Sequence, residues 1–247
     1  MKIEQVEGII LQDTNYSESS KILNILTKEY GLIGVLSKGC RNIKNKLRAV
    51  SRKLVHATFH IYYKENGLST LIAADVISSY SNILTDLNRI TYASYILELT
   101  TQVLKDNKEE SVFHLLKNSL EKIDNKLDPM VITNILEIKY LDLLGVGLVL
   151  DSCSICGSNK NIITIDGTYG GLICSNCYKD SIIIDEKTIK LIRMFYYVDI
   201  SKIDKIDLSE ESIKQVNKFV EDYYDRYTGI YLKSKNMINK LTKLVTT

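Results

Sequence analysis

The sequence predicts an α+β fold: a small five-stranded barrel followed by helices, with a four-cysteine ribbon inserted among them. Three observations predict it. The first 80 residues show strand-like alternation, the spacing of apolar residues changes to three and four after Ser81, and two C-x2-C pairs stand 17 residues apart. At 247 residues and 45% hydrophobic, the chain is long and apolar enough to bury one large core or two smaller ones without disulfides.

The elements follow in order. Strand-forming runs cover residues 5–13 and 21–28, flanking the polar turn of Asn15 to Ser20, and a third follows Tyr30-Gly31 as residues 32–37. In residues 54–63, Val55, Ala57, Phe59, Ile61 and Tyr63 alternate with Leu54, His56, Thr58, His60 and Tyr62, so one face is apolar. His56 and His60 are expected to be exposed strand residues. Asn66-Gly67 signals a tight turn into a fifth strand, residues 68–77. Five short strands with one long connection between the third and fourth fit a closed OB-fold barrel. Beyond it Leu84, Leu87, Thr91, Tyr95 and Leu99 mark one helical stripe, and Val112, Leu115, Leu116, Ser119, Leu120 and Ile123 a second. Asp128-Pro129 opens a third helix that Gly145 stops. Asp185 caps a helix to about Val198, and Ser209 opens the last, striped by Ile213, Val216, Val220, Tyr223 and Tyr227. The expected divisions are 1–80 for the barrel, 81–151 and 181–247 for the helical domain with a basic tail, and 152–180 for the ribbon.

Cys153, Cys156, Cys174 and Cys177 have the spacing of a four-thiolate zinc site, with Gly157 permitting the turn after the first pair. One structural Zn²⁺ is expected, with an iron–sulfur centre as the alternative. Four thiolates leave no open position for substrate or activated water, so the metal is read as structural. Catalytic patterns are missing: no Gly-rich phosphate loop, no nucleophile elbow, no H-x-E before a C-x-x-C. The protein is read as not an enzyme. The longest apolar run, Leu143 to Leu150, is far short of the roughly 20 residues that span a bilayer, and the early Glu4 and Glu7 do not resemble a secretory leader. A cytoplasmic protein with reduced cysteines is expected.

Net charge is only +2, but residues 1–80 hold 11 basic and 7 acidic residues. Lys38, Arg41, Lys44, Lys46, Arg48, Arg52 and Lys53 fall within sixteen residues that contain no acid, and they include three of the six arginines. The loop between barrel strands is where OB-folds place nucleic-acid contacts, so these seven are assigned to phosphate binding, against the plainer reading of a solvated loop. After Asp225 the chain carries Arg226, Lys233, Lys235, Lys240 and Lys243 and no acid; Lys233 and Lys235 mark either a second basic surface, for DNA or an acidic peptide, or a solvated helix face.

Gly8-Ile9-Ile10-Leu11, Tyr16-Ser17-Glu18, Lys21-Ile22-Leu23, residues 26–31 and Lys38-Gly39-Cys40-Arg41 together resemble the N-terminal signature of the bacterial recombination mediator family RecO. Cys153-x-x-Cys156-Gly157, Gly170-Gly171-Leu172-Ile173-Cys174-x-x-Cys177 and Leu232-Lys233-Ser234-Lys235 are similar to that family's zinc region and tail, in the same order. The chain departs from the family at Ser51 to Val55, where a Leu-Gln-Pro-Phe-like segment is usual. The resemblance implies an OB-fold and a helical domain with a zinc ribbon. It implies binding of single- and double-stranded DNA, annealing of strands coated with single-strand-binding protein, recognition of that protein's acidic C-terminal tail, and cooperation with RecR in loading RecA. A zinc-ribbon adaptor without direct DNA binding is the alternative, and a zinc hydrolase or deaminase a third that needs an open metal site.

Overall fold

The computed structural model describes residues 2–105, 110–180 and 183–245; residues 181, 182, 246 and 247 of the expected last division lie outside the described residues. The α+β architecture read from the sequence is the one observed. Strands β1 (Lys2–Tyr16), β2 (Ser20–Thr27), β3 (Gly31–Ser37), β4 (His56–Tyr63) and β5 (Ser69–Ser78) close a barrel in the order β1-β2-β3-β5-β4. There follow helices α1 (Ser81–Leu84), α2 (Leu87–Val103), α3 (Glu110–Asp124) and α4 (Pro129–Leu143), then strands β6 (Val149–Cys153), β7 (Ile162–Asp166) and β8 (Gly171–Cys174). Helices α5 (Glu186–Tyr197), α6 (Glu210–Tyr227) and α7 (Lys235–Val245) complete the chain. Two compact units result: Met1–Asn125 with Ser234–Thr247, and Lys126–Lys233. Among the described residues no helix is long and apolar enough to cross a membrane.

In the first unit β1 pairs with β4 through Lys2 to Ile9 and with β2 from Gly8 to Tyr16, so it must coil across the barrel. Gly8 stands where the two ladders overlap, and a Cβ there would lie 2.7 Å from Ile25 Cγ2 and 3.0 Å from the Leu26 carbonyl. Val6, Ile10, Leu23, Ile25, Val35, Val55, Ala57, Phe59, Ile61 and Leu71 fill the interior, which is the alternation read at residues 54–63. Closure is slight: β3 and β5 pair in parallel only at Val35–Ser69 and Leu36–Thr70.

Around Ile9 and His56 the outer face of β1 and β4 is buried too, which corrects the expectation for His56. Its ring is 1% exposed, beside Tyr80 and against Phe113 on α3. Glu7 Oε1 lies 2.8 Å from His56 Nε2, and Lys117 Nζ lies 3.8 Å from the same carboxylate oxygen. Alternation reports that one face of a strand is apolar; it does not report that a helix will cover the other. Burial holds the imidazole below its ordinary pKa, against the pull of Glu7. An unfolded chain therefore takes up this proton first. The stability that neutral His56 contributes is intact above pH 6.5 and is lost as pH falls below it, with a slope of at most about 1.4 kcal/mol per pH unit. Urea midpoints at pH 7.5, 6.5 and 5.5 should fall in that order, and His56→Phe should flatten the trend; equal midpoints for the native chain would contradict the assignment.

The first helical stripe is also interrupted. Asp86 accepts from the Arg89 amide at 2.9 Å and so starts α2 at Leu87, leaving Leu84 in the separate turn α1. That turn is held by Asp124, whose Oδ1 accepts from the Ile83 amide at 3.0 Å. Leu87, on the apolar stripe by spacing, is 67% exposed at the helix start.

In the second unit α4 is buried nearly all round, with α5 and α6 packed on it. Asp128 Oδ1 accepts from the Val131 amide at 3.0 Å, Pro129 takes the first turn, and Gly145 adopts φ 73° beyond the last turn, as the sequence predicts. Asp185 and Ser209 cap α5 and α6. The buried stripe of α6 is Ser212, Val216, Phe219, Val220, Tyr223 and Tyr224, so Ile213 and Tyr227 of the expected stripe lie at its margins. The Tyr224 hydroxyl donates to the Glu137 carbonyl at 2.9 Å, tying α6 to α4.

Candidate metal centre and nucleic-acid surface

The ribbon begins with a backbone approach that only glycine permits. Strand β8 runs parallel to β6 and antiparallel to β7, and a Cβ on Gly171 would lie 2.3 Å from the Val149 carbonyl. This approach sets Cys153, at the end of β6, opposite Leu172, two residues before Cys174. Each C-x2-C pair then folds back on itself. The Gly157 amide donates to the Cys153 carbonyl at 2.8 Å with Gly157 at φ 74°, and the Cys177 amide donates to the Cys174 carbonyl at 3.1 Å.

The four Sγ atoms lie within 4.8 Å of one another, and Cys156 and Cys174 are 3.7 Å apart. A tetrahedral ion with metal–sulfur bonds of about 2.3 Å needs sulfurs about 3.8 Å apart, so the donor set fits one tetrahedral ion. Burial opposes ionisation of Cys153, yet the amides of Cys156, Cys174 and Ile155 bring its thiol down to about 6. Hydrogen bonding to Cys156, with burial and the other two sulfurs, pushes Cys177 up to about 12. Packed thiols can thus lose a first proton easily and the last only with difficulty, unless a cation shares their charge. Cys40, the remaining cysteine, is 2% exposed under the basic loop, far along the chain from this group.

The basic loop is ordered by its own polar side chains. Asn45 Oδ1 accepts from the Leu47 amide at 2.8 Å, opening a short 3₁₀ turn, Lys46–Arg48. The Ser37 and Ser51 hydroxyls meet at 2.8 Å beneath it, and the Gly39 amide donates to Ser20 Oγ at 3.2 Å. Between Ser51 and Val55, Leu54 takes φ 69° while 1% exposed. Its amide donates to the Ile10 carbonyl, and Ile10 donates to the Val55 carbonyl, both at 3.0 Å, so pairing with β1 holds a backbone conformation that costs a bulky residue of order 1–3 kcal/mol.

All seven cations of the loop are exposed, and among the described residues none of them makes an ion pair. Asp13, the nearby acid on β1, is taken by Lys21 Nζ at 2.5 Å and accepts from the Lys53 amide at 3.1 Å. Arg41, Lys46, Arg48 and Arg52 line a cavity of about 730 Å³ with Lys21 and Ile43. Lys38 and Lys44 stand outside that lining, and Lys53 turns away, its Nζ donating to Ser94 Oγ on α2 at 3.3 Å. Sequence reasoning missed Lys21 and Ile43. Lys21 hides in a strand pattern, but Ile43, 83% exposed, carries a signal: it is an isolated apolar residue in the middle of a charge run.

Of the second basic surface, Lys233 is exposed and Lys235 half-buried at the start of α7. Ser234 between them is fixed, its amide and hydroxyl both donating to Glu98 Oε2 on α2, at 2.9 and 2.5 Å.

Residues 1–80 match the family model described as "Recombination protein O N terminal" and residues 84–236 the one described as "Recombination protein O C terminal". The chain is 32% identical to "DNA repair protein RecO" of Listeria monocytogenes serotype 4a over 98% of this chain and 96% of the relative. It is 33% identical to the protein of the same description from Bacillus pumilus, over 96% of this chain and 94% of the relative. The corresponding protein of Bacillus cytotoxicus is 32% identical, over 97% and 98%.

Proposed function

Because the chain belongs to the RecO family of DNA repair proteins, we propose that it acts without catalysis as a recombination mediator, binding single- and double-stranded DNA through the loop of residues 38–53. One observation carries this reading: seven exposed cations on an ordered loop, with Asp13 on the adjoining strand already paired by Lys21. Phosphates of the strand lie along Arg41, Lys46, Arg48 and Arg52, with Lys38, Lys44 and Lys53 extending the field on either side. Ile43 touches bases, and Tyr16, 50% exposed on β1, offers a ring for stacking in the turn where Arg41 donates to the Ser17 carbonyl at 3.1 Å. None of these groups reads sequence, as suits a protein that pairs whatever complementary strands it meets.

Cys153, Cys156, Cys174 and Cys177 hold one Zn²⁺, the common ion for four thiolates, which closes the ribbon and takes no part in DNA chemistry. The protein works in the cytoplasm at the nucleoid. It anneals strands coated with single-strand-binding protein, recognises that protein's acidic C-terminal tail, and together with RecR assists loading of RecA.

The test is annealing of complementary oligonucleotides precoated with single-strand-binding protein from the same organism, at two salt concentrations. Acceleration that weakens with salt is expected. Failure to bind even bare strands at low salt would reject the reading in favour of a ribbon-based protein adaptor.

A further inference from the structure

The two basic stretches are separated by some 180 residues in sequence, yet both are fastened to the same face of α2. Lys53, closing the loop, donates to Ser94 Oγ at 3.3 Å, and Ser234, leading into α7, donates twice to Glu98. Ser94 and Glu98 are four residues apart on one helix, which places their Cβ atoms about 5–6 Å from each other. Glu98 also satisfies the start of α7, where the helix dipole favours a carboxylate. From Lys235 onward α7 has lysines and no acid; Lys240 is exposed, and the side chain of Lys243 lies outside the described residues.

We propose that α2 joins the loop and the C-terminal helix into a single phosphate-binding track, along which one strand passes from the loop cavity over Ser94 and Glu98 to Lys235 and Lys240. This rests on the DNA-binding reading above and extends its footprint. Glu98 is a positioning residue: it touches no phosphate but sets where the lysines of α7 lie.

The experiment is fluorescence anisotropy of the full chain with oligo(dT) of increasing length across a salt series. Lys235→Glu with Lys240→Glu should lower the salt slope by about 1.4, at about 0.7 for each single-strand phosphate that is no longer neutralised. The deficit should appear only with oligonucleotides long enough to reach beyond the loop. Glu98→Ala separates positioning from charge. Removing an acid should tighten binding if only the net field matters, whereas loss of the α7 attachment weakens binding of long strands; Glu98→Gln, which keeps the acceptor, should restore it. An unchanged long-strand slope in the lysine variant, while Arg41→Glu with Lys44→Glu and Lys46→Glu still flattens it, overturns the track and leaves the loop reading standing. If the loop variant changes nothing either, both fall.

Discussion

Stripping the metal with a chelator, or replacing Cys153 and Cys174 by serine, is expected to unfold residues 149–177 and to broaden or split the thermal transition of the chain. Binding of a structural ion to four thiolates contributes on the order of 10 kcal/mol to folding. The sheet of β6, β8 and β7 has little else to hold it. Beyond the sulfurs, its strands are four or five residues long and its buried apolar set is Leu150, Ile165, Leu172 and Ile173. The loss should also reach α6, because Tyr227 donates to the Thr168 carbonyl and Arg226 to Thr168 Oγ1, both at 2.8 Å, in the turn between β7 and β8. Hydrogen exchange would show both changes. A chain from which metal has been removed, verified by elemental analysis, yet which keeps protected amides in β8, would rule out a structural ion.

Charge reversal at Arg41, Lys44 and Lys46 should reduce the salt slope of single-strand binding by about 2 and weaken affinity most at low salt. These side chains are exposed and carry no ion pair among the described residues, so their replacement leaves the barrel core untouched. Unaltered thermal stability alongside weakened binding is the expected pair of results. If affinity and slope both persist, the phosphate site is elsewhere.

How much of this was legible in the sequence depends on the range of the interaction. The barrel strands were readable because alternation is local and each interior residue needs only to be apolar. Four cysteines were readable because two-residue gaps are what a tetrahedral ion requires of a turning chain. The closeness of β6 and β8 had a partial signal in Gly170-Gly171, although the steric reason at Val149 needed the fold. His56 was misjudged because the helix that buries it comes some fifty residues later, and Phe113 and Lys117 carry no local mark of that packing. Leu54 gave no warning of a left-handed backbone, since nothing in its side chain favours one. Asp86 is a recognisable cap, but the apolar stripe running through it masked the break. The bond between Glu98 and Ser234 could not be read at all: a glutamate in a helix and a serine in a basic tail are each ordinary where they stand.

That last bond also bears on how the chain reaches its native state. Glu98 and Ser234 are 136 positions apart, and all of Lys126–Lys233 is synthesised between them. The barrel and α1 to α3 lie wholly within the first 125 residues, whereas α7 can dock only after the entire second unit has been made. So long a loop closes late and at an entropic cost that nearer pairings escape. The C-terminal helix should therefore be the last piece to join the barrel unit and the first to leave it, and a nascent or proteolysed chain ending short of Ser234 would keep the barrel while lacking the helix.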